Sequence, residues 1–185
     1  LRSTLSDTTT IDKEIAVEEL DGKGCESAVA IAAILKSTQL RPAPWKADVS
    51  KKAIIARWNA WKNQKETAPY PWRILALHEA FKISSEKPYA ELAFELTDKL
   101  ATMQYDQIDP RKPAWYGGMK TLSAQGVELM PGVMSCVLAE SFAVACLTAQ
   151  LSADSARHDK YMQRLAQALQ FSQTIQYTES NAIHF

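Results

Sequence analysis

Helical segments of two kinds alternate along the chain, and this alternation limits the fold more than any other feature of the sequence. Residues 26–36, 72–84 and 133–152 are apolar on almost every side of a helix, which is typical of a helix surrounded by protein. Each is followed by a segment with one apolar stripe, which is typical of a helix that covers a core and faces water. The pattern therefore predicts successive antiparallel helical hairpins with inner apolar and outer amphipathic helices.

The fold class that we expect is all-α, because the apolar and amphipathic segments follow the period of a helix. We expect one domain of three hairpins, at about residues 26–63, 72–105 and 132–178. Residues 1–25 precede the hairpins and residues 179–185 begin a further loop. The predicted N-cap of the second helix is Asp48. The apolar stripe predicted for the last helix consists of Met162, Leu165, Leu169 and Ile175.

Individual residues, as well as the pattern of apolar residues, repeat along the chain. Three residues of the second hairpin recur in the third at one constant offset, namely Tyr89, Gln104 and Tyr105 against Tyr161, Gln176 and Tyr177. Glu79 and Glu140 correspond approximately in the preceding helices. The repeat is longer than the ~34 residues of a tetratricopeptide unit. It therefore favours a repeat built from larger helical pairs.

The stretches YPWRILALHEAFKISSEKPYAELAFELTDKLATMQY and VLAESFAVACLTAQLSADSARHDKYMQRLAQALQFSQTIQY resemble hairpins of the α/α toroid superfamily. This superfamily includes six-hairpin glycosidases, polysaccharide lyases and epimerases, and terpenoid cyclases. Its outer helices often end with Gln and precede a loop with a Gly-Gly-aromatic element. Here Gln104 precedes Gly117-Gly118, and Met119 stands where an aromatic residue is usual.

The resemblance covers about residues 26–178 and implies part of an (α/α) toroid. A complete toroid needs more hairpins than these three, so we expect a partial ring whose partners are the remaining hairpins of a parent chain. The resemblance also implies that the chain acts on or binds carbohydrate, as a glycoside hydrolase or a polysaccharide lyase-like protein. A poly- or oligosaccharide is then the expected ligand.

The connection from Asp106 to Met130 is long for a compact domain, and long ordered loops often carry function. Such loops surround the central funnel in toroid enzymes. Carbohydrate hydrolysis uses paired carboxylates, and aromatic rings pack on sugars. We therefore expect Asp109 and Glu128 as acid and base, and the substrate-binding residues Arg111, Trp115 and Tyr116. Alternatively, the loop contains only turn chemistry, and its aromatic rings fix it to the helices.

Two further candidate catalytic residues lie within the apolar helices. His78 is a candidate acid or base, and the alternative is a partly buried histidine that hydrogen-bonds a neighbouring helix. Glu140 is a single charge in a long apolar segment, so we expect it to be paired, to face the funnel or to lie at a hairpin edge.

Composition argues against several other classes of protein. Lys and Arg total 21 and Asp and Glu total 21, so no net charge attracts nucleic acid or an anionic membrane. Glu140 interrupts the most apolar segment, residues 133–151, which we interpret as a buried helix without membrane insertion. Cys25, Cys136 and Cys146 are predicted to be buried free thiols. No CxxC or HExxH motif is present, and we predict neither metal nor cofactor.

Two rival functions and the compartment stay open at this point. A non-enzymatic helical-repeat scaffold that binds protein or peptide explains the same helical pattern. An isoprenoid-type toroid enzyme fits less well, because no DxDD or DDxxD cluster occurs. The chain starts at Leu1 without a basic-then-apolar leader, so a secreted or periplasmic location is permitted but not indicated.

Overall fold

The computed structural model describes residues 26–63 and 67–180, and the predicted segment 1–25 with Cys25 lies outside them. The described ranges contain six α-helices, which are α1 (Glu26–Leu40), α2 (Pro44–Asn63), α3 (Tyr70–Ser84), α4 (Lys87–Ala101), α5 (Cys136–Leu151) and α6 (Ser155–Ser180). The all-α fold class is therefore confirmed.

Residues 102–135 join α4 to α5 and contain two short strands. The antiparallel strands are β1 (Thr121–Leu122) and β2 (Glu128–Leu129), with Leu122 opposite Glu128. Short 3₁₀ turns lie at Pro113–Trp115 and Val133–Ser135. These strands were not predicted from the sequence, because strands of two residues are too short to show an alternating pattern.

The central helix of the packing is α3. It contacts α1, α2, α4 and α5, and most of its residues are buried. Among the contacts that do not involve α3, α2 packs against α1, α4 packs against α5, and α6 packs against α5. Each helix therefore packs against its successor within three consecutive pairs, and α3 is enclosed by four others.

Two predictions about individual helices are wrong. Asp48 is not the N-cap of α2, because the helix begins at Pro44 and Asp48 lies inside it. Proline suits the first helical position, where its missing N–H is not needed. The buried residues of α6 include Tyr161, Ala168 and Phe171. Of the predicted stripe, Leu165 packs against the core and Ile175 is half-buried, whereas Met162 and Leu169 are exposed. The predicted stripe is therefore wrong at Met162 and Leu169, where the residue before each is buried instead.

The apolar segment Val133–Leu151 has the length and mean hydropathy that a membrane span requires, and half of that window is buried inside the protein. Leu138, Phe142, Ala145 and Ala149 are buried in it. The two cysteines of α5 differ, since Cys146 is buried and Cys136 is exposed. The expectation of a buried thiol is therefore wrong for Cys136, which lies at the first turn of α5.

Candidate functional site

The loop between α4 and α5 is fixed to the helices by Gln104. Its Nε2 atom donates to the backbone oxygens of Gly117, at 3.1 Å, and Arg164, at 3.0 Å. Both amide hydrogens are thus used, and the two carbonyl acceptors define the orientation of the amide. Because Arg164 lies on α6, this side chain connects the end of α4, the loop and α6. Gln104 is only 1% exposed.

The Gly-Gly element allows the loop to lie directly against α6. Gly117 has a φ of +84°, and a Cβ atom there would lie 2.0 Å from the backbone oxygen of Gln167. A Cβ atom on Gly118 would lie 2.6 Å from Cβ of Pro131. Gly117 N also donates to Tyr105 O at 2.7 Å, and Tyr105 N donates to Gly118 O at 2.9 Å. These glycines are therefore required by close approach as well as by the turn.

Several charged and aromatic residues of the loop lie together in what we call the loop cluster, which consists of Tyr105, Asp109, Arg111, Lys112, Trp115 and Glu128. Lys112 Nζ lies 2.6 Å from Glu128 Oε2 and 4.1 Å from the centroid of the Trp115 ring. The rings of Tyr105 and Trp115 have centroids 5.5 Å apart. The structure thus brings Glu128 and Trp115 together through Lys112.

Both predicted acid-base carboxylates in the loop cluster are held by cations. Hydrogen bonds from the side chain and backbone of Arg111 lower the pKa of Asp109. A hydrogen bond from Lys112, together with its charge, lowers the pKa of Glu128. Both groups are therefore ionised at neutral pH. A glycosidase acid instead needs a raised pKa, which neither carboxylate has.

The aromatic residues of the loop differ in whether another side chain covers the face of the ring. The ammonium group of Lys112 lies over the ring of Trp115, so a sugar that packs on that face must displace it. Tyr116 is half-buried, and its ring makes no contact with another aromatic ring or cation in the described part of the chain. Arg111 projects into solvent and pairs with Asp109 at 3.2 Å.

Comparisons of the chain with family models, curated proteins and solved structures found no match. The chemistry of the site must therefore be argued from its own residues.

His78 lies away from the loop cluster, at the contact between α3 and α5. Its Nδ1 lies 3.0 Å from Thr148 Oγ1, and that hydroxyl donates to Val144 O at 2.9 Å. Because the single hydroxyl hydrogen is used, Nδ1 must be the donor, and His78 carries its proton there. Burial, with the charges of Lys82 and Lys36, lowers the pKa of His78 to about 4. This geometry agrees with the alternative of a histidine bonded to a neighbouring helix.

Glu140 is also separate from the loop cluster. It is exposed on α5 and has no ion pair among residues 26–63 and 67–180. Glu79, the corresponding residue of α3, is buried, with Lys36 and Lys82 each 3.9 Å away. The structure therefore brings together Asp109, Arg111, Trp115 and Glu128, and it places the other two candidate catalytic residues elsewhere.

A second group of residues lies beside the loop cluster and forms what we call the polar groove. This groove has a volume of about 300 Å³, and its lining includes Asp98, Gln104, Asp106, Lys120, Lys160 and Arg164. Lys160 Nζ lies 2.8 Å from Asp98, and Arg164 Nη2 lies 2.9 Å from Asp106. Lys120 Nζ lies 5.7 Å from the ring of Tyr105, which connects the groove to the loop cluster.

The sequence pointed to part of the polar groove, because Asp106 and Lys120 lie in the long loop expected to carry function and Gln104 precedes it. It did not show that these residues meet Asp98, Lys160 and Arg164. The charged residues of a helix are usually its solvated face, and nothing in the local pattern of α4 or α6 indicated otherwise. Within the described residues, no group of three or more His, Cys, Asp or Glu side chains is placed to hold a metal ion.

Proposed function

We propose that the chain is part of an α/α toroid protein and that it binds carbohydrate at the loop cluster. The observation that carries this proposal is that Lys112 pairs with Glu128 and lies over the ring of Trp115, while its charge also acts on Asp109. Tyr105 packs against Trp115. Ionised carboxylates accept hydrogen bonds from sugar hydroxyls, and cations donate to ring and hydroxyl oxygens. Aromatic rings add an apolar surface for the face of a sugar ring.

The ionised state of Asp109 and Glu128 favours carbohydrate binding over hydrolysis. General acid catalysis at a glycosidic oxygen needs a protonated group close to the operating pH. The hydrogen bonds that Asp109 and Glu128 accept hold the pKa of each carboxyl below its usual value. In the loop cluster these residues are therefore hydrogen-bond acceptors, and a glycoside hydrolase or lyase would need a proton donor from another part of the protein.

The toroid part of the proposal is supported by the packing of the helices. Three consecutive pairs pack in order, and α3 lies among α1, α2, α4 and α5. Gln104 and Gly117, two of the residues on which the superfamily resemblance rests, also contact each other. A loop held in this way presents its residues on a rigid support, which a preorganised binding site requires.

Glycan-array screening followed by titration calorimetry tests the proposed function. We expect Glu128→Gln to weaken binding of the best oligosaccharide about tenfold, since a charge-assisted hydrogen bond is lost. Trp115→Ala should weaken it as well. The matched control is Glu95→Gln, which changes an exposed carboxylate on α4 that has no ion pair in the described residues. Absence of glycan binding, or equal affinities for the wild type and Glu128→Gln, would contradict the proposal.

A second candidate function is a scaffold that binds protein or peptide. Exposed apolar side chains lie in the β1–β2 hairpin and in the residues that follow it. They are Leu122 and Val127, both 61% exposed, and Leu129, Met130 and Val133. Large exposed apolar patches mark interaction sites. Self-association that Val127→Ser abolishes, together with no glycan binding, would favour this alternative.

A further inference from the structure

One side of α6 carries an apolar stripe that the described helices leave uncovered. The α6 stripe consists of Met162, Ala166 and Leu169, which follow at spacings of four and three and are all exposed. Another side of α6 faces α4, where Lys160 pairs with Asp98. Met162 lies two residues from Lys160, which is about 160° around the helix. The α6 stripe is therefore turned away from α4.

The preceding pair of helices shows what covers a stripe in this position. The offset that relates Tyr89 to Tyr161 also relates the α6 stripe to Ala90, Phe94 and Thr97 of α4. All three are buried, and α4 packs against α5, the apolar helix of the following pair. The α6 stripe therefore has the position in the repeat that receives a further apolar helix.

The exposed side of α5 continues this surface. Thr148 contacts His78 of α3, and Cys146 contacts α6. Leu147 is 54% exposed and lies about 100° around the helix from each of them, on the side that neither helix covers. Half-buried Ala143 is one turn away. Because α4 contacts α5 and α6 from one side, their exposed residues share the other side, which we call the α5–α6 face.

The apolar helix α1 has an uncovered side at the opposite end of the row formed by α1, α3 and α5. Buried Ala28 and Leu35 mark the side that packs against α2 and α3. On another side, exposed Ala33 lies between half-buried Ala30 and Ser37, at spacings of three and four. Helices approach most closely where the side chains between them are small. This side of α1 can therefore pack against the larger residues of the α5–α6 face.

We propose that the α5–α6 face binds α1 of a second copy of this chain. The second α1 then lies beside α5 as α5 lies beside α3, and the row of apolar helices continues from one chain to the next. Two different surfaces meet in this contact, and contacts of this kind close into a ring when the rotation between copies allows it. The number of copies rests on the toroid part of the proposed function. Since a ring of six hairpins takes two copies of the three described hairpins, we expect a closed dimer with two identical contacts.

Size-exclusion chromatography with light scattering on the 185-residue chain tests the proposal, and we expect twice the mass of one chain. Leu169→Lys on α6 and Ala33→Glu on α1 should each raise the dissociation constant at least about a hundredfold, because each places an unpaired charge in both contacts. The matched control is Ile55→Lys. Ile55 is 69% exposed on α2, which belongs to neither surface, so this variant should dimerise like the wild type.

A mixture of the two charged variants tests whether α1 meets the α5–α6 face. In a mixed dimer one contact is unmodified and the other holds opposite charges. The mixture of Leu169→Lys and Ala33→Glu should therefore dimerise more tightly than either variant alone. If the α5–α6 faces of two copies met each other instead, Ala33→Glu alone would dimerise like the wild type, which would overturn the proposal.

Circular dichroism shows whether the variants are folded, which should hold because Leu169 and Ala33 are exposed in the single chain. The proposal is also overturned if the wild type is a monomer at millimolar concentration, or if folded Leu169→Lys dimerises like the wild type. Dissociation by Val127→Ser alone would assign the contact to the β1–β2 hairpin. A monomer that binds glycan would contradict the dimer only, and a dimer that binds no glycan would contradict carbohydrate binding only.

Discussion

Single residues explain why the loop cluster could be predicted only in part. Asp109, Trp115 and Glu128 belong to one loop, so their closeness follows from chain proximity. Glu140 and His78 lie on helices, where their neighbours depend on packing that a sequence does not show. The sequence also did not show in which direction the pKa of Asp109 shifts, because the shift depends on the contact with Arg111.

Gly117 provides a direct test of the contact between loop and helix. Gly117→Ala places a Cβ atom 2.0 Å from Gln167 O at a φ of +84°. We expect a loss of about 3 kcal/mol or more in the free energy of unfolding, because steric overlap adds to backbone strain. The control is Gly126→Ala, with a φ of +77° and no atom within 4 Å. It should lose only about 1 kcal/mol, measured by urea unfolding. Equal losses in the two variants would show that Gly117 does not approach α6.

His78 should make stability depend on pH in mildly acidic solution. Its pKa falls from the ordinary value of 6.5 to about 4 in the folded protein, so the unfolded chain binds more protons between these values. The contribution of His78 is therefore complete above about pH 6.5 and is lost as the pH falls towards 4, by about 2 to 3 kcal/mol. The difference in urea unfolding between the wild type and His78→Gln should shrink by this amount from pH 7 to pH 4.5. A constant difference would mean that His78 is not buried as a neutral ring.

At the scale of elements, the sequence predicted the helices better than their ends and faces. The apolar and amphipathic segments of the sequence identified the helices. The start of α2 was missed because Pro44 begins the helix earlier than the polar Asp48 suggested. The stripe of α6 was predicted only in part, because burial there also depends on Tyr161 and Phe171, which contact α4 and the loop. No local pattern shows that contact.

The Gln104→Leu variant tests how α4, the loop and α6 are joined. Gln104→Leu removes the side-chain donor to the backbone oxygen of Gly117 and the second donor to that of Arg164, which keeps its bond within α6. We therefore expect a loss of about 2 kcal/mol in the free energy of unfolding. Gln107→Leu makes the same change at an exposed position of the loop and should be nearly neutral. Both are measured by urea unfolding. Equal small effects would indicate that the loop does not depend on Gln104.

At the scale of the whole molecule, α3 should contribute most to stability because other helices enclose it. Leu77 on α3 is 0% exposed, whereas Leu147 on α5 is 54% exposed. Leu77→Ala should lower the free energy of unfolding by about 3 kcal/mol, since a cavity is left in the core. Leu147→Ala should change it by less than about 0.5 kcal/mol. Similar effects in the two variants would contradict the central position of α3.

An ordered loop underlies the proposed carbohydrate site, and hydrogen exchange of its amides tests this order most directly. The amides of Gly117, Met119 and Lys120 donate to Tyr105 O, Ser135 Oγ and Met103 O, at 2.7, 3.0 and 2.7 Å, and that of Gly118 closes a local turn on Trp115 O at 3.0 Å. We predict exchange at least about a hundredfold slower than in an unfolded chain, which corresponds to an opening free energy of about 3 kcal/mol. Exchange of these amides at the rate of an unfolded chain would contradict the account, because neither the loop cluster nor the polar groove would then be preformed.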